Sequence, residues 1–278
     1  MTAFDPARDR MAVISGAGTG VGRAIAAKFG ALGWRVAIGG RRVDRLAETV
    51  EVVEKAGGTC FAHALDVTDA ESVERFFAAA EAELGKVSVV INNAAVGRYG
   101  PLDDFSPAEI AAEIATKLTG ALWMARRGIQ TMRAEGSGGD VLFISSASAV
   151  QAWPFHLPYA AANAGVEHAA RTLRQELEGT GIRVTCLRCG ETGGTEFSAR
   201  EQASGRMFAV TDYWFRRGLL RHTGLMVPEM VADAVAAAVT LPMAYQYDAL
   251  SVMPTAPIGA LPTTLEEFVQ EMMRRMGP

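Results

Sequence analysis

Cysteine is scarce in this chain: Cys60, Cys186 and Cys189 are the only three among 278 residues. That is too few, and too odd a number, for a disulfide framework, so reduced thiols are expected. Cys186-Leu187-Arg188-Cys189 has the spacing of a zinc pair, but no second such pair exists, and His63, His156, His168 and His222 keep no ligand spacing to it. Residues three apart on a strand face opposite sides, so strand packing is the expected role and no metal is expected. Basic blocks and basic stripes with interleaved aromatics are also missing, and with a formal net charge of -4 nothing implies a nucleic-acid partner. No apolar run approaches the ~20 residues of a membrane span, and Met1 to Pro6 lack a charged leader followed by an apolar core. A soluble cytoplasmic protein with no membrane partner is expected. Internal repeats and low-complexity linkers are absent too.

What the chain does have is apolar residues in two alternating periods. An apolar content of 49% over 278 residues can bury one substantial core, and a single domain is expected. Strand-like runs fall at 12–15, 35–38, 59–65, 87–91, 141–145, 183–187 and 249–252, with helix-period stretches at 21–32, 43–56, 69–84, 107–134, 159–177 and 228–241. Strand, crossover helix and strand in that order predict an α/β fold with a doubly wound, Rossmann-type parallel sheet, whose ligand crevice lies beyond the strand C-termini. The stretch at about 191–227 has no clear period but carries Phe197, Phe208, Tyr213, Trp214 and Phe215, which fits a substrate lid or ordinary surface packing. At about 263–276 the spacing of Leu265, Phe268, Val269, Met272, Met273 and Met276 predicts an amphipathic C-terminal helix, packed on its own domain or on a neighbouring subunit.

Ser15-Gly16-Ala17-Gly18-Thr19-Gly20-Val21-Gly22 sits between the first predicted strand and helix. That context suits a dinucleotide pyrophosphate, because glycine admits close backbone approach and the helix N-terminus offers unpaired N–H groups. The GxGxxG spacing fails from every starting glycine, since its last position falls on Val21, Arg23 or Ile25, whereas GxxxGxG fits. Just beyond the second strand, where an NAD(H)-binding sequence usually carries a carboxylate for the ribose 2′-hydroxyl, this chain reads Ile38-Gly39-Gly40-Arg41-Arg42, with no carboxylate. Arginines there can pair a 2′-phosphate, so NADP(H) is favoured over NAD(H).

The GxxxGxG spacing resembles that of the short-chain dehydrogenase/reductase family. Further motifs extend the resemblance over roughly residues 10 to 255. It implies cofactor contacts at Gly16, Gly18, Thr19, Gly20, Val21 and Gly22, and at Asp66 and Val67 beyond the third strand. Asn92-Asn93-Ala94-Ala95 is similar to the family's NNAG, with Ala95 in place of glycine. Gly190 and the backbone after it are similar to the loop facing the nicotinamide, with Thr192 or Thr195 near the carboxamide, although Cys189 replaces the family's proline. An inert thiol is the expected state of Cys189.

Ser146 and Tyr159 stand at the family's serine-to-tyrosine interval of 13 residues. The resemblance makes Ser146 the group that orients a carbonyl oxygen and Tyr159 the general acid/base. Four residues after Tyr159, where the family has lysine, stands Asn163; in the family's NxxG pattern the asparagine is replaced by Lys117. The two identities are exchanged. Lys117 is expected to reach toward the missing ammonium and Asn163 to bond the nicotinamide ribose. Ser148, Trp153 and His156 are expected to face a small-molecule substrate of apolar or aromatic character. An NADP(H)-dependent alcohol/ketone oxidoreductase is the implied activity; a protein holding NADP(H) as a structural or sensory ligand, or a non-redox isomerase or lyase, is the alternative. The helices after the fourth and fifth strands imply a homodimer or homotetramer.

Overall fold

Alternation along the first strand decides the layering of the molecule. In the computed structural model, which describes residues 10–197 and 203–276, β1 (Met11–Ser15) sends Met11 and Val13 to one face and Ala12 and Ile14 to the other, and all four are buried. A strand apolar on both faces must be covered on both. β2 (Arg35–Gly40), β3 (Thr59–Ala64), β4 (Val89–Asn92), β5 (Gly139–Ser146), β6 (Ile182–Cys189) and β7 (Ala249–Val252) complete a seven-stranded sheet in the order β3-β2-β1-β4-β5-β6-β7. Every pairing is parallel. The order reverses between β1 and β4, and that switch point places the cleft. All seven expected strands are present; β7 has the expected ends, and the other six shift at one end or both.

Helices α1 (Gly20–Ala31) and α2 (Val43–Lys55) cover one face through Ile25, Phe29, Leu46 and Val53. Helix α3 (Ala70–Leu84) covers the other through Phe76 and Phe77. At the N-terminal edge of the sheet, buried Asp140 accepts from Arg183 at 2.7 and 3.0 Å and also pairs with buried Arg10, which ties β1, β5 and β6 together.

The stretch expected to be one helix at 107–134 is three pieces. Ser106 and Glu109 form a capping box that starts α4 (Pro107–Ile114). Ala115–Thr119 is a π-helical turn, closed by the Gly120 N–H donating to the Ala115 carbonyl, and α5 (Gly120–Glu135) follows. The apolar period runs through the break, so the sequence pattern does not reveal it. Helix α6 (Leu157–Glu176) begins two residues before Tyr159, with Pro158 in its first turn. The stretch at 191–227 also differs from expectation: it contains a helix, α7 (Arg206–Arg216), whose N-terminus follows a left-handed Gly205 rather than a capping side chain. Helices α8 (Pro228–Val239) and α9 (Leu265–Met276) complete the chain. The tail helix packs on its own chain, where Phe268 is fully buried against Phe215. Among the described residues, no helix is long and apolar enough to cross a membrane.

Candidate active site

A cleft of about 1410 Å³ opens at the C-terminal ends of the strands. Pockets for one small ligand run to roughly 300–1,000 Å³, so there is room for two ligands side by side. Gly16, Gly18, Thr19, Gly20 and Val21 line one end. Gly16 has φ +68°, and a side chain there would come within 2.8 Å of the Ala94 Cα; one at Gly22 would meet the Gly16 carbonyl at 2.4 Å. Gly22 therefore shapes the turn from beneath rather than lining the cleft. Asn93 Nδ2 donates to the Ser15 and Gly16 carbonyls at 3.0 Å each, and Ser15 Oγ accepts from the Asn93 and Ala94 N–H groups at 3.1 Å. Thr19 at the N-cap of α1 makes no side-chain capping bond, so the first N–H groups of that helix remain for a ligand. This cradle, which any Cβ would obstruct, fits a dinucleotide pyrophosphate.

Arg41, Arg42, Asp66, Val67, Asn93, Ala94 and Ala95 line the same end. Asp66 Oδ1 accepts from the Thr68 N–H and hydroxyl at 2.9 and 2.7 Å. Burial opposes ionisation of that carboxyl, yet the Thr68 bonds hold it below the ordinary range. Arg42 forms an ion pair with Glu196, which also strengthens its hold on its proton. Asn92 lies just below the cleft, its Nδ2 donating to the Leu142 carbonyl at 3.3 Å and tying β4 to β5.

Ser146, Tyr159, Lys117, Cys189, Gly190 and Thr192 line the middle of the cleft. Ser146 ends β5 and its Oγ accepts from the Ser148 N–H at 3.2 Å. Burial, reinforced by Cys189, pushes the Tyr159 phenol up to about 12, against hydrogen bonds to Asn163 and Ser146 that favour the phenolate. Lys117 leaves the π turn and runs inward: only 3% of it is exposed, and its Nζ donates to the Ile144 carbonyl at 2.6 Å. Burial pulls its pKa down to about 8. Asn163 does not line the cleft. It is fully buried, its Nδ2 donates to the Tyr159 carbonyl at 2.9 Å, and its Oδ1 finds no hydrogen-bond partner among the described residues.

Cys186 and Cys189 pack on opposite faces of the sheet, and burial drives both thiols up to about 12. Neither thiol is activated. Glu167 receives Ser145 Oγ at 2.9 Å and the Arg188 guanidinium at 2.5 and 2.8 Å, which anchors the strand end that leads into Gly190.

Ser148, Trp153 and His156 line the far end with Tyr99, Phe197 and Trp214. The His156 ring lies flat on Tyr159, with centroids 4.4 Å apart and planes 3° apart. Tyr99 meets Trp214 edge-on at 5.3 Å, and Trp153 meets Trp214 at 4.8 Å. Burial holds His156 neutral, with a pKa lowered to about 3, and its Nε2 and the Ser148 Oγ find no hydrogen-bond partner among the described residues. Phe268, Val269 and Met272 of the tail helix close this end.

Residues 10–205 match the family model described as short chain dehydrogenase. The chain belongs to the short-chain dehydrogenase/reductase family. These are oxidoreductases. Among curated relatives, 3beta-hydroxysteroid dehydrogenase 1 of Eggerthella lenta is 32% identical over 234 residues, covering 84% of this chain and 87% of the relative. Sulfoacetaldehyde reductase 2 of Chromohalobacter salexigens is 30% identical over 244 residues, covering 87% and 93%. Among solved structures, the alcohol dehydrogenase of the archaeon Thermococcus sibiricus, complexed with 5-hydroxy-NADP, superposes with a TM-score of 0.71 at 26% identity, covering 88% of this chain and 96% of that one. Short-chain dehydrogenase/reductase relatives thus act on substrates as unlike as a steroid and a small sulfonated aldehyde.

Thr195 lines the cleft beside Thr192, as the resemblance implied, whereas sequence reasoning missed Glu196, Tyr99 and the tail-helix residues as cleft lining. Tyr99 sits in a stretch with no period, and Glu196 meets Arg42 only through the folded chain, so neither left a local signal.

Proposed function

We propose that the protein is an NADP(H)-dependent oxidoreductase interconverting a secondary alcohol and a ketone on an apolar or aromatic substrate. The observation that carries this reading is the shared cleft: Ser146, Tyr159 and the buried Lys117 lie between the glycine cradle with its arginines and a chamber walled by Tyr99, Trp153, Phe197 and Trp214. When bound, the nicotinamide would supply or accept the hydride. Tyr159, a phenol at neutral pH, gives its proton to the carbonyl oxygen in reduction; in oxidation its phenolate, the minor form, takes the proton from the alcohol. Ser146 holds that oxygen. Lys117 supplies the positive charge that the residue after the tyrosine turn does not, while Asn163 braces the first turn of α6 from within. The aromatic chamber excludes water and positions the substrate ring against His156.

Absorbance of NADPH under a panel of ketones, with product analysis, tests the reading. Turnover abolished by Tyr159→Phe is expected. Substrate conversion without net change in NADPH would replace it with an isomerase or lyase. NADPH binding with no conversion of any panel member would indicate a structural or sensory ligand.

We also propose that the active unit is a homodimer or homotetramer. A groove between α5 and α6, lined by Leu122, Ala125, Ile129 and Leu173, leaves Leu122 41% exposed, and such a seam suits a second copy. Light scattering that finds monomer alone at assay concentration removes this claim.

A further inference from the structure

Three consecutive residues cross the cleft from its cofactor end to its catalytic end. A side chain at Gly20 would touch Thr195 at 3.4 Å, so Thr195 sits on the glycine cradle. Glu196 pairs with Arg42, and its other oxygen lies 4.0 Å from Arg45 Nε. Phe197 places its ring 5.5 Å from that of Tyr159 and 5.7 Å from that of His156. The carboxylate thus holds the guanidinium that follows β2, where the chemistry of the site calls for a phosphate. Arg45 is meanwhile engaged by Glu48 at 2.7 Å, and Arg23 by Glu48 at 2.7 Å, so neighbouring cations are matched as well. Carboxylate and phosphate compete for the same planar fork of donors. The Arg42 and Glu196 side chains are 52% and 40% exposed. A pair that solvent screens to this extent is weak and exchangeable.

We propose that Glu196 is a cofactor-specificity residue: its carboxylate occupies Arg42 until the 2′-phosphate of NADP(H) displaces it. The inference rests on the reading of this cleft as an NADP(H) site. NAD(H), having no phosphate at that carbon, leaves Glu196 in place and meets an arginine already neutralised. Discrimination thereby depends on an exchange of anions on Arg42 and on the second cation, Arg41, which makes no ion pair among the described residues.

Equilibrium titration tests this without turnover, using adenosine 2′,5′-bisphosphate, NADPH and NADH as probes. Glu196→Gln is expected to tighten the bisphosphate and NADPH by about 1.5- to 5-fold, the worth of one exposed ion pair, and to leave NADH unchanged. Glu178→Gln, an exposed charge just before β6 and so at the opposite end of the strands from the cleft, controls for net charge and is expected to change neither. In an Arg42→Ala background the gain from Glu196→Gln is expected to vanish, because the competing pair is gone. Unchanged or weaker NADPH binding by Glu196→Gln overturns the proposal, as does a gain that survives Arg42→Ala. If the unmodified protein binds neither the bisphosphate nor NADPH, the cofactor reading itself falls and this inference falls with it.

Discussion

The Lys117 ammonium donates to the Ile144 carbonyl, two residues before Ser146, from a position almost wholly withdrawn from solvent. A folded-state pKa of about 8, against the ordinary 10.5, means that the charge is carried at a cost below pH 8, and that the cost fades between pH 8 and 10.5. The shift corresponds to roughly 3 kcal/mol, of which the lost Ile144 bond would return about 1 kcal/mol. Lys117→Met is therefore expected to raise Tm at pH 7, with the gain shrinking as pH climbs through that window, while kcat falls. Thermal unfolding at the two ends of the window, beside a rate measurement, checks both signs. A variant with full kcat removes Lys117 from the mechanism.

The exchanged identities at 117 and 163 make a second expectation. Lys117→Asn should lower kcat/KM by about 10²-fold, within the usual range for acid–base groups. Adding Asn163→Lys should recover at least about tenfold of that if, as proposed, the two positions act on one phenol, since their effects should then not add. Steady-state kinetics of both single variants and the double variant decide the matter; a double variant at the product of the two single losses refutes coupling.

Arg41 is exposed and lines the cleft, and among the described residues it makes no ion pair. Loss of a charge-assisted bond costs about 1.5–3 kcal/mol, so Arg41→Ala should weaken NADPH by roughly 10- to 100-fold and NADH far less. Parallel titrations of the two cofactors read this directly. Equal losses for both would assign Arg41 to the shared part of the dinucleotide.

His156, stacked on Tyr159, is held neutral down to about pH 3 while an unfolded chain would protonate it near 6.5. The unfolded state thus binds the extra proton across that interval, and stability is lost as pH falls from 6.5 toward 3. His156→Phe keeps a stacked ring without a titrating nitrogen, so its acid-unfolding midpoint should lie at lower pH. An unchanged midpoint would show that other groups set the acid limit.

The central strands were legible because each is a short apolar run buried on both faces, as Met11 to Ile14 illustrate, whereas the edge strands β3 and β7 are only partly buried. Ser146 and Tyr159 were legible for a different reason, because their interval of 13 residues resembles that of the short-chain dehydrogenase/reductase family, and the glycine cradle because its turn falls between a strand and a helix. The turn at Ala115–Thr119 was not, since one added backbone residue leaves the apolar period almost intact. Helix α7 was hidden as well, because its partners Tyr99 and Trp153 lie far away in sequence and only tertiary contact explains its aromatic face. Asn163 shows the limit of motif reading: its position was known, but that its amide would bond the Tyr159 carbonyl depends on packing.

That wide turn also acts as a phase shifter. Each α-helical residue advances the face by about 100°, so the one added residue sets α5 out of register with α4 by that angle. Lys117 can then aim at the end of β5 while Gly120, three positions on, lies flat against Val67. Were the same residues wound as an unbroken α-helix, one end would be rotated relative to the other by that angle. Either the amine would swing from the Ile144 carbonyl, or the glycine contact would be replaced by a side chain that Val67 cannot accept. The buried Lys117 amine and the seating of the long helix are thus clocked by the same backbone irregularity, and neither can be tuned without the other.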